Sequence, residues 1–463
     1  MAANPQHPET TAATAKLAPV GNAASAFDAH HPPETKLIDA CVHCGFCLQA
    51  CPTYLLWGEE MDSPRGRIQL IKMAAEGETP ITPRWIAHFD SCLGCMACMT
   101  ACPSGVDYGK LIEATRAQIE RLHDRPAGDR WHRRLIFSIF TTPERLRMAR
   151  RLLGAYQRSG LQTLLRKSGL LGLLPARVAA MEALAPRVTA SEAVPEVTPA
   201  LGEKRRRVGL LLGCVQREFL SRVNAATARV LAAEGCEVVA PAEQSCCGAL
   251  PLHAGQEEAA AEMARRTIDI FERARVDAVI INAAGCGSSM KEYGYLLRDD
   301  AQYAERARQF SARCRDISEF LEQLGPRAPR HPLPLRVAYQ DACHLQHAQG
   351  VRSQPRSLLG GVPGLSVMEI PEAAVCCGSA GIYNLVQPET AAELGNRKAQ
   401  LIAELGPDVV ATGNPGCLLQ INAALARAGK KIRVVHTIEL IDASLRGAGP
   451  EAFGSKGLGR DGV

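Results

Sequence analysis

The sequence lacks any long hydrophobic run. Its longest apolar stretches, such as LIFSIF and VGLLLGCV, are much shorter than the roughly 18 to 20 residues that a membrane-spanning helix needs. The N-terminal stretch also lacks a charged head followed by an apolar block, so it does not resemble a secretory signal. We therefore expect a protein that is soluble, or attached to a membrane only at its surface, in a compartment where thiols stay reduced.

Two further absences narrow the function. No G-x-G-x-x-G follows a strand-like run, which excludes the usual dinucleotide-binding fingerprint. The net charge of +5 over 463 residues is too small to indicate nucleic acid as a partner. The content of 46% apolar and 22% charged residues is ordinary, so the chain can bury a core without disulfides.

Cysteine, by contrast, is abundant, and eight of the eighteen cysteines fall in two runs of the same spacing. CVHCGFCLQACP and CLGCMACMTACP both fit C-x2-C-x2-C-x3-C-P. In two-cluster ferredoxins the first three cysteines of such a run bind one [4Fe-4S] cluster and the fourth reaches the other cluster. The spacing therefore predicts two clusters with exchanged ligands. The first cluster takes Cys41, Cys44, Cys47 and Cys102, and the second takes Cys92, Cys95, Cys98 and Cys51.

Zinc is the alternative for these runs, since four cysteines can also bind a tetrahedral Zn2+. Zinc sites usually use two separated C-x2-C pairs, whereas here three closely spaced cysteines lead to a Cys-Pro, so iron–sulfur is favoured. Ser63 as a cap and Pro64 as a first helical residue predict a helix between the runs, hence a helical ferredoxin module. Supporting roles in this module are expected for Glu59, Asp62 and Arg65, and tuning of a cluster by charge for Lys110.

The rest of the chain contains an internal repeat. Four cysteine positions recur about 130 residues later, and in each half they follow strand-like runs such as RRVGLLLGC and LRVAYQDAC. Strands alternating with helices predict parallel sheets, which place ligands beyond the carboxyl ends of their strands. Each set should thus converge on one site. The first set is Cys214, Cys246, Cys247 and Cys286, and the second is Cys343, Cys376, Cys377 and Cys417.

These two modules resemble the cysteine-rich modules of heterodisulfide reductase, in which a fifth cysteine completes the motif. Here Cys286 and Cys417 lack the following C-x-x-C partner, so each set could bind one cubane cluster at most. One or two further iron–sulfur clusters are expected, and loss of metal from one module remains open. Gly248 and Gly378 after the pairs would allow close approach of the backbone to a cluster. Two further cysteines, Cys236 and Cys314, are expected to pack in the core. Hydrogen bonding is expected for His344 and Asp341, with a ligand or proton-donor role as the alternative.

The fold class that follows is α plus α/β. It consists of a helical two-cluster ferredoxin module and a duplicated α/β Cys-Cys-Gly domain. The expected boundaries are a flexible tail at 1–34, the ferredoxin module at 35–124, a basic helical linker at 125–204, the two modules at 205–330 and 331–446, and a second tail at 447–463.

The linker is strongly basic and amphipathic. From Arg125 to Arg187 it has thirteen Arg or Lys residues against three acids. Such a stretch can lie in an anionic membrane interface, where quinone is also reached. Alternatively, its apolar face packs on the α/β region or on a partner subunit while the arginines are solvated.

Three features together resemble the iron–sulfur subunit of bacterial glycolate oxidase over residues 36–446. They are the string CVHCGFCLQACPTYLLWGEEMDSPRGRIQLIKMAAEGE, the second run CLGCMACMTACPSGVDYGKLI and the two Cys-Cys-Gly modules. This resemblance implies an electron-transfer subunit of a glycolate dehydrogenase complex. A separate FAD-containing subunit would oxidise the 2-hydroxy acid, and quinone would accept the electrons at the inner face of the cytoplasmic membrane. D-lactate dehydrogenase, anaerobic glycerol-3-phosphate dehydrogenase and a heterodisulfide-reductase-like enzyme are the alternatives.

Overall fold

The structure, a computed structural model, describes residues 25–453. Its N-terminal part is a helical module that carries both cysteine runs. Ser63 caps the central helix by accepting a hydrogen bond from the Gly66 amide (3.0 Å), and Pro64 is the first helical residue, as predicted. The helices are α1 Thr35–Asp39, α2 Pro52–Trp57, α3 Pro64–Ala75, α4 Pro83–Asp90, α5 Ala97–Ala101 and α6 Tyr108–Leu122.

Parts of both predicted tails pack on the folded modules. Phe27 is buried beside Trp85, with ring centroids 6.2 Å apart, and the Asp28 carboxylate accepts a hydrogen bond from Arg121 at 2.9 Å. Residues 25–34 therefore pack on the ferredoxin module, because one aromatic ring and one ion pair anchor an otherwise Ala- and Pro-rich segment. Phe453 is likewise buried in the second α/β module. The remaining residues of the predicted tails, 1–24 and 454–463, lie outside the described residues.

The linker is helical, and part of its apolar surface packs inward. Its helices are α7 Ala127–Phe140, α8 Pro143–Arg158, α9 Leu161–Ser168 and α10 Ala176–Leu184. Ile136, Phe137 and Leu146 are buried, and α8 and α10 contact helices of the α/β modules. Arg125 pairs with Asp90 of the ferredoxin module at 2.7 Å. Packing against the α/β region, one of the two expected alternatives, thus describes α7, α8 and α10.

The first α/β module contains a five-stranded sheet of order β1-β3-β2-β4-β5, parallel except for β1. Its strands are β1 Val197–Thr198, β2 Arg206–Leu210, β3 Cys236–Val239, β4 Ala278–Ile281 and β5 Cys314–Asp316. Its helices are α11 Val215–Phe219, α12 Ser221–Ala233, α13 Ala249–His253, α14 Glu257–Arg273, α15 Ala284–Lys291, α16 Tyr293–Leu296, α17 Ala304–Ser311 and α18 Ile317–Leu324.

The second module repeats this topology in a parallel sheet of order β7-β6-β8-β9, which confirms the predicted fold class. Its strands are β6 Arg336–Gln340, β7 Ser366–Glu369, β8 Val409–Thr412 and β9 Arg433–His436. Its helices are α19 Ser353–Gly360, α20 Tyr383–Val386, α21 Pro388–Leu405, α22 Pro415–Arg427 and α23 Thr437–Leu445, with a π-helical turn at His344–Ala348.

The two modules share one apolar core. Val208 and Val238 of the first sheet belong to the same buried cluster as Ala338 and Val410 of the second. Helix α12 packs against α23, and α18 packs against α19. The carboxyl edges of the two sheets also meet, since the Ala284 amide donates to the Gly413 carbonyl at 3.1 Å. Cysteines that follow strands in either module therefore face a common space.

None of the helices in residues 25–453 is both long enough and apolar enough to span a bilayer.

Candidate iron–sulfur centres

The cysteines of the ferredoxin module line two separate cavities. One cavity is bounded by Cys41, Cys44, Cys47 and Cys102, with Cys98 also on its wall. The other cavity is bounded by Cys51, Cys92, Cys95 and Cys98. Cys51 thus lies with the second run and Cys102 with the first, which is the exchange that the spacing predicts. All eighteen cysteines are free thiols, and this donor set fits iron–sulfur clusters.

A buried arginine organises the second of these groups. The Arg67 guanidinium is enclosed, and it donates to the His88 carbonyl at 2.6 Å and to the Ser91 hydroxyl at 2.8 Å. It pairs with the buried Asp62 carboxylate at 3.4 Å. Asp62 therefore supports the ferredoxin fold, as expected.

Two arginines favour the thiolate at Cys92. Burial alone would raise the pKa of this thiol, but the guanidiniums of Arg67 and Arg116 outweigh burial and lower it. Arg116 also donates to the carbonyl of Cys92 and, at 2.8 Å, to that of His253 in the first α/β module. Sequence reasoning missed both arginines, because a charged side chain that points inward from an amphipathic helix leaves no mark in the pattern.

The other charged residues singled out in this module have local roles. Arg65 pairs with Glu60 at 2.6 Å, and the Glu59 side chain accepts from the Met61 amide at 3.4 Å. The described contacts of Lys110 do not involve the cysteines whose cluster it was expected to tune. It pairs with Asp107 at 2.8 Å and its ammonium lies over the ring of Tyr295, so its described partners are not cysteines.

The first α/β module brings its four cysteines into one group. Cys214 and Cys286 lie at the starts of the helices that follow β2 and β4, and Cys246 and Cys247 lie in the loop after β3. Hydrogen bonds join Cys214 to Cys246 and Cys247 to Cys286. The bond with Cys214 lowers the pKa of Cys246, but the bond with Cys247 and burial outweigh it and raise this pKa to about 12.

The second module forms the equivalent group from Cys343, Cys376, Cys377 and Cys417. Hydrogen bonds from Cys376 and His344 lower the pKa of Cys343, although burial opposes them. The pKa of Cys377 is also lowered, first by hydrogen bonds with Cys376 and Cys417 and further by the charge of Lys398. Hydrogen bonds with neighbouring cysteines and burial raise the pKa of Cys376 and Cys417, so the thiolate is favoured at two of the four cysteines of this group.

The residues beside this group mainly form hydrogen bonds. His344 contacts the sulfur of Cys343 through Nδ1 at 3.6 Å. Asp341 accepts two hydrogen bonds from Arg356, at 2.9 and 2.8 Å. Cys236 and Cys314 are fully buried in β3 and β5, where they pack in the core as expected.

The glycines after the Cys-Cys pairs approach neighbouring helices closely. Gly248 and Gly378 have φ of +84° and +90°, a region that favours glycine. A Cβ at Gly378 would lie 2.5 Å from the carbonyl oxygen of Ala391, and a Cβ at Gly248 would lie 3.0 Å from that of Ala260. Both glycines therefore approach the backbone of α21 or α14 closely.

The ferredoxin module meets the second α/β module at its cysteines. Cys95 shares a buried apolar cluster with Cys343 and Cys376. Burial raises the pKa of Cys95, and the charge of Cys343 raises it further, because the two sulfurs are close. Three cysteine groups thus follow one another through the molecule, from the first ferredoxin group to the second and on to the second α/β module.

These features define a class of protein. Fold and cysteine groups together form an iron–sulfur protein with a dicluster ferredoxin module and two cysteine-rich modules. Family models match in the same order: a 4Fe-4S dicluster domain at 37–106, the linker region of the glycolate oxidase iron–sulfur subunit at 128–185, and the cysteine-rich domain at 208–291 and 337–422.

Similar proteins narrow the class. A probable glycolate oxidase iron–sulfur subunit from Bacillus subtilis is 40% identical over 87% of this chain and 92% of its own length. The glycolate oxidase iron–sulfur subunit of Escherichia coli is 36% identical over 88% and 94%. One subunit of a fumarate reductase (CoM/CoB) from Methanothermobacter marburgensis is 34% identical over 51% of this chain and 46% of its own. The chain belongs to the family of glycolate oxidase iron–sulfur subunits.

Proposed function

We propose that this chain is the electron-transfer subunit of a membrane-associated glycolate (2-hydroxy-acid) dehydrogenase. It receives electrons from a separate FAD-containing subunit and passes them towards quinone, on the inner face of the cytoplasmic membrane. The observation that carries this proposal is the buried cluster that Cys95 shares with Cys343 and Cys376, which joins the ferredoxin module to a Cys-Cys-Gly module in one continuous series of ligand groups.

The proposed ligand sets follow the four cysteine groups. Cys41, Cys44, Cys47 and Cys102 hold one [4Fe-4S] cluster, and Cys92, Cys95, Cys98 and Cys51 hold the other, in keeping with the two cavities that they line. Each α/β group holds one further cluster. Bound clusters supply one-electron transfer. The protein keeps the thiolates buried and places Arg67, Arg116 and Lys398 near them, which offsets negative charge where water is excluded.

Iron analysis tests these sets. If all four groups are filled, anaerobically purified protein contains about sixteen irons per chain. It contains about twelve if one α/β group is empty, and about eight if both are empty. A colourless protein with stoichiometric zinc would contradict the proposal.

Attachment to a membrane surface is supported by the exposed part of the linker. Leu164 and Leu173 are 63% and 82% exposed, and Arg166 and Lys167 lie in the same short segment. In an anionic lipid interface, leucines of such a segment face the acyl chains while its arginines and lysines lie near the phosphates. The double substitution Leu164→Glu with Leu173→Glu should abolish sedimentation with vesicles of anionic phospholipid. Leu201→Glu, at an equally exposed leucine outside the linker helices, is the control and should leave sedimentation unchanged.

The substrate is tested on the co-purified complex. Glycolate, D-lactate and glycerol 3-phosphate are each supplied with an artificial electron acceptor, and reduction of the acceptor is followed. We expect glycolate to drive reduction. Reduction by glycerol 3-phosphate alone would refute the glycolate assignment, and reduction by D-lactate alone would make the chain a D-lactate dehydrogenase subunit.

A further inference from the structure

A cavity of about 390 Å³ lies where the carboxyl edges of the two sheets meet. Six of the eight cysteines of the two α/β groups line it, including Cys214 and Cys286 from the first module and Cys343 and Cys417 from the second. Bound iron and sulfide would take up the part of this space next to the cysteines. The linker forms another part of the wall, and this part carries no cysteine.

The linker wall is apolar. Ile136 and Phe140 of α7, Leu146 and Leu153 of α8, and Leu184 of α10 all line the cavity. No Asp, Glu, Lys or Arg is found among its lining residues in the described part of the chain. A 2-hydroxy acid is an anion and needs a cationic partner when it leaves water, so this cavity does not suit the substrate of the complex. It suits a neutral ligand with a mainly apolar body.

Two polar atoms at the cavity lack partners. His344 Nε2 and Gln216 Oε1 are inaccessible to solvent, and neither has a hydrogen-bond partner within residues 25–453. The Gln216 amide is held in place because its Nε2 donates to the Asn282 side chain. Leaving a buried polar atom unpaired destabilises the structure, and a hydrogen bond with a ligand oxygen removes this cost. A carbonyl oxygen can accept a hydrogen bond from His344, and a hydroxyl can donate one to Gln216.

The cavity reaches the surface on its linker side. Met181 lines it and is 36% exposed. Exposed leucines of the linker, among them Leu152 and Leu164, give the outer surface of the same segment an apolar character. A ligand with a long apolar tail could thus keep its head between the modules and its tail towards a lipid surface.

From these observations we propose that the cavity between the two Cys-Cys-Gly modules binds the head group of a lipophilic quinone, with the linker helices as its apolar wall. The proposal rests on the proposed function for the origin of the electrons. A quinone is neutral, planar and largely apolar, and it has two oxygens that accept hydrogen bonds as the quinone and donate them as the quinol. Its reduction takes two electrons from the complex and two protons from water, and yields the quinol.

The test fills the cavity from the linker side. Ala149 lines the cavity on α8, whereas Ala155 is exposed on the same helix, so Ala149→Trp and Ala155→Trp form a matched pair. Binding of a short-tailed ubiquinone and of a short-tailed naphthoquinone to the oxidised complex is measured by equilibrium dialysis. We expect one of these probes to bind, Ala149→Trp to weaken binding about tenfold or more, and Ala155→Trp to have no effect.

Controls separate the outcomes. Iron content shows whether Ala149→Trp still holds its clusters. If the clusters are lost, Met181→Trp at the exposed edge of the cavity replaces it, and this variant is expected to weaken quinone binding less. Equal binding by Ala149→Trp and Ala155→Trp, no binding of either probe to the unaltered complex, or displacement of the quinone by glutathione disulfide would each overturn the proposal. Dialysis needs no substrate, so a complex that fails to oxidise glycolate but binds quinone refutes the proposed function alone.

Discussion

Gly378 provides the sharpest test of how the second Cys-Cys-Gly loop is built. Alanine at this position is strained in two ways. A left-handed backbone costs an L-residue about 1–2 kcal/mol, and φ here is +90°. The new Cβ would also lie 2.5 Å from the Ala391 carbonyl oxygen, so α21 has to shift. Overpacking of this kind costs about 1–3 kcal/mol. We expect Gly378→Ala to lower the free energy of unfolding by about 2–5 kcal/mol.

Gly406, at the other end of α21, provides the control. Its φ is +58°, and a Cβ there would meet no atom within 4 Å. Gly406→Ala should therefore cost only the backbone strain, about 1–2 kcal/mol. Urea unfolding of both variants, with iron content measured in parallel, compares them directly. Equal destabilisation would refute the clash with α21. A Gly378→Ala protein of unchanged stability that lost iron would show instead that the glycine makes room for a cluster.

Three further predictions follow from the ferredoxin module and the second α/β module. Cys51→Ser and Cys92→Ser should each remove about four irons and abolish the same electron paramagnetic resonance signal. Serine at any of the first three cysteines of the first run should abolish the signal of the other cluster. If Cys51→Ser abolishes that signal instead, the exchange of ligands is refuted. Arg67→Met removes the guanidinium that pairs with the buried Asp62 carboxylate and should cost about 3–5 kcal/mol in urea unfolding, against about 1 kcal/mol or less for Arg65→Met. Burial lowers the pKa of His436 from 6.5 to about 4. Burial of this neutral histidine therefore costs no stability above pH 6.5, and the protein loses about 3 kcal/mol of stability as the pH falls from 6.5 to 4. His436→Asn, which can still cap α23, should flatten this dependence, and an unchanged pH profile of urea unfolding would contradict it.

Much of the architecture could be predicted from spacing. The two cysteine runs, the helix start at Ser63 and the offset of about 130 residues between the modules are local signals, so they indicated a ferredoxin module and a duplicated parallel α/β domain. The exchange of Cys51 and Cys102 was expected because the fourth cysteine of a run C-x2-C-x2-C-x3-C-P reaches the other cluster in two-cluster ferredoxins, and it stays a prediction that the serine variants test.

Long-range contacts left no such signal. Arg67 and Arg116 look like ordinary charges on amphipathic helices, and only the packed structure shows that both lie near enough to Cys92 to lower the pKa of its thiol. The reason for Gly378 lies thirteen residues away in sequence, in the backbone of Ala391. The docked linker was one of two alternatives, since amphipathicity defines an apolar face but does not say what covers it.

The way in which the two modules pack has a consequence for how they could have arisen. In the repeat, α12 is equivalent to α19, and α18 is equivalent to α23. Helix α12 packs on α23, and α19 packs on α18, so the same pair of surfaces meets twice. This is the geometry of an isologous dimer. A single module of this kind could pair with its own copy across the same surface, and its cavity would then have two identical walls. Fusion into one chain frees the walls to differ. His344 follows Cys343 where Val215 follows Cys214, and Lys398 stands as far beyond its Cys-Cys pair as Ile268 does beyond the other. Symmetry in the backbone thus carries an asymmetric distribution of charge.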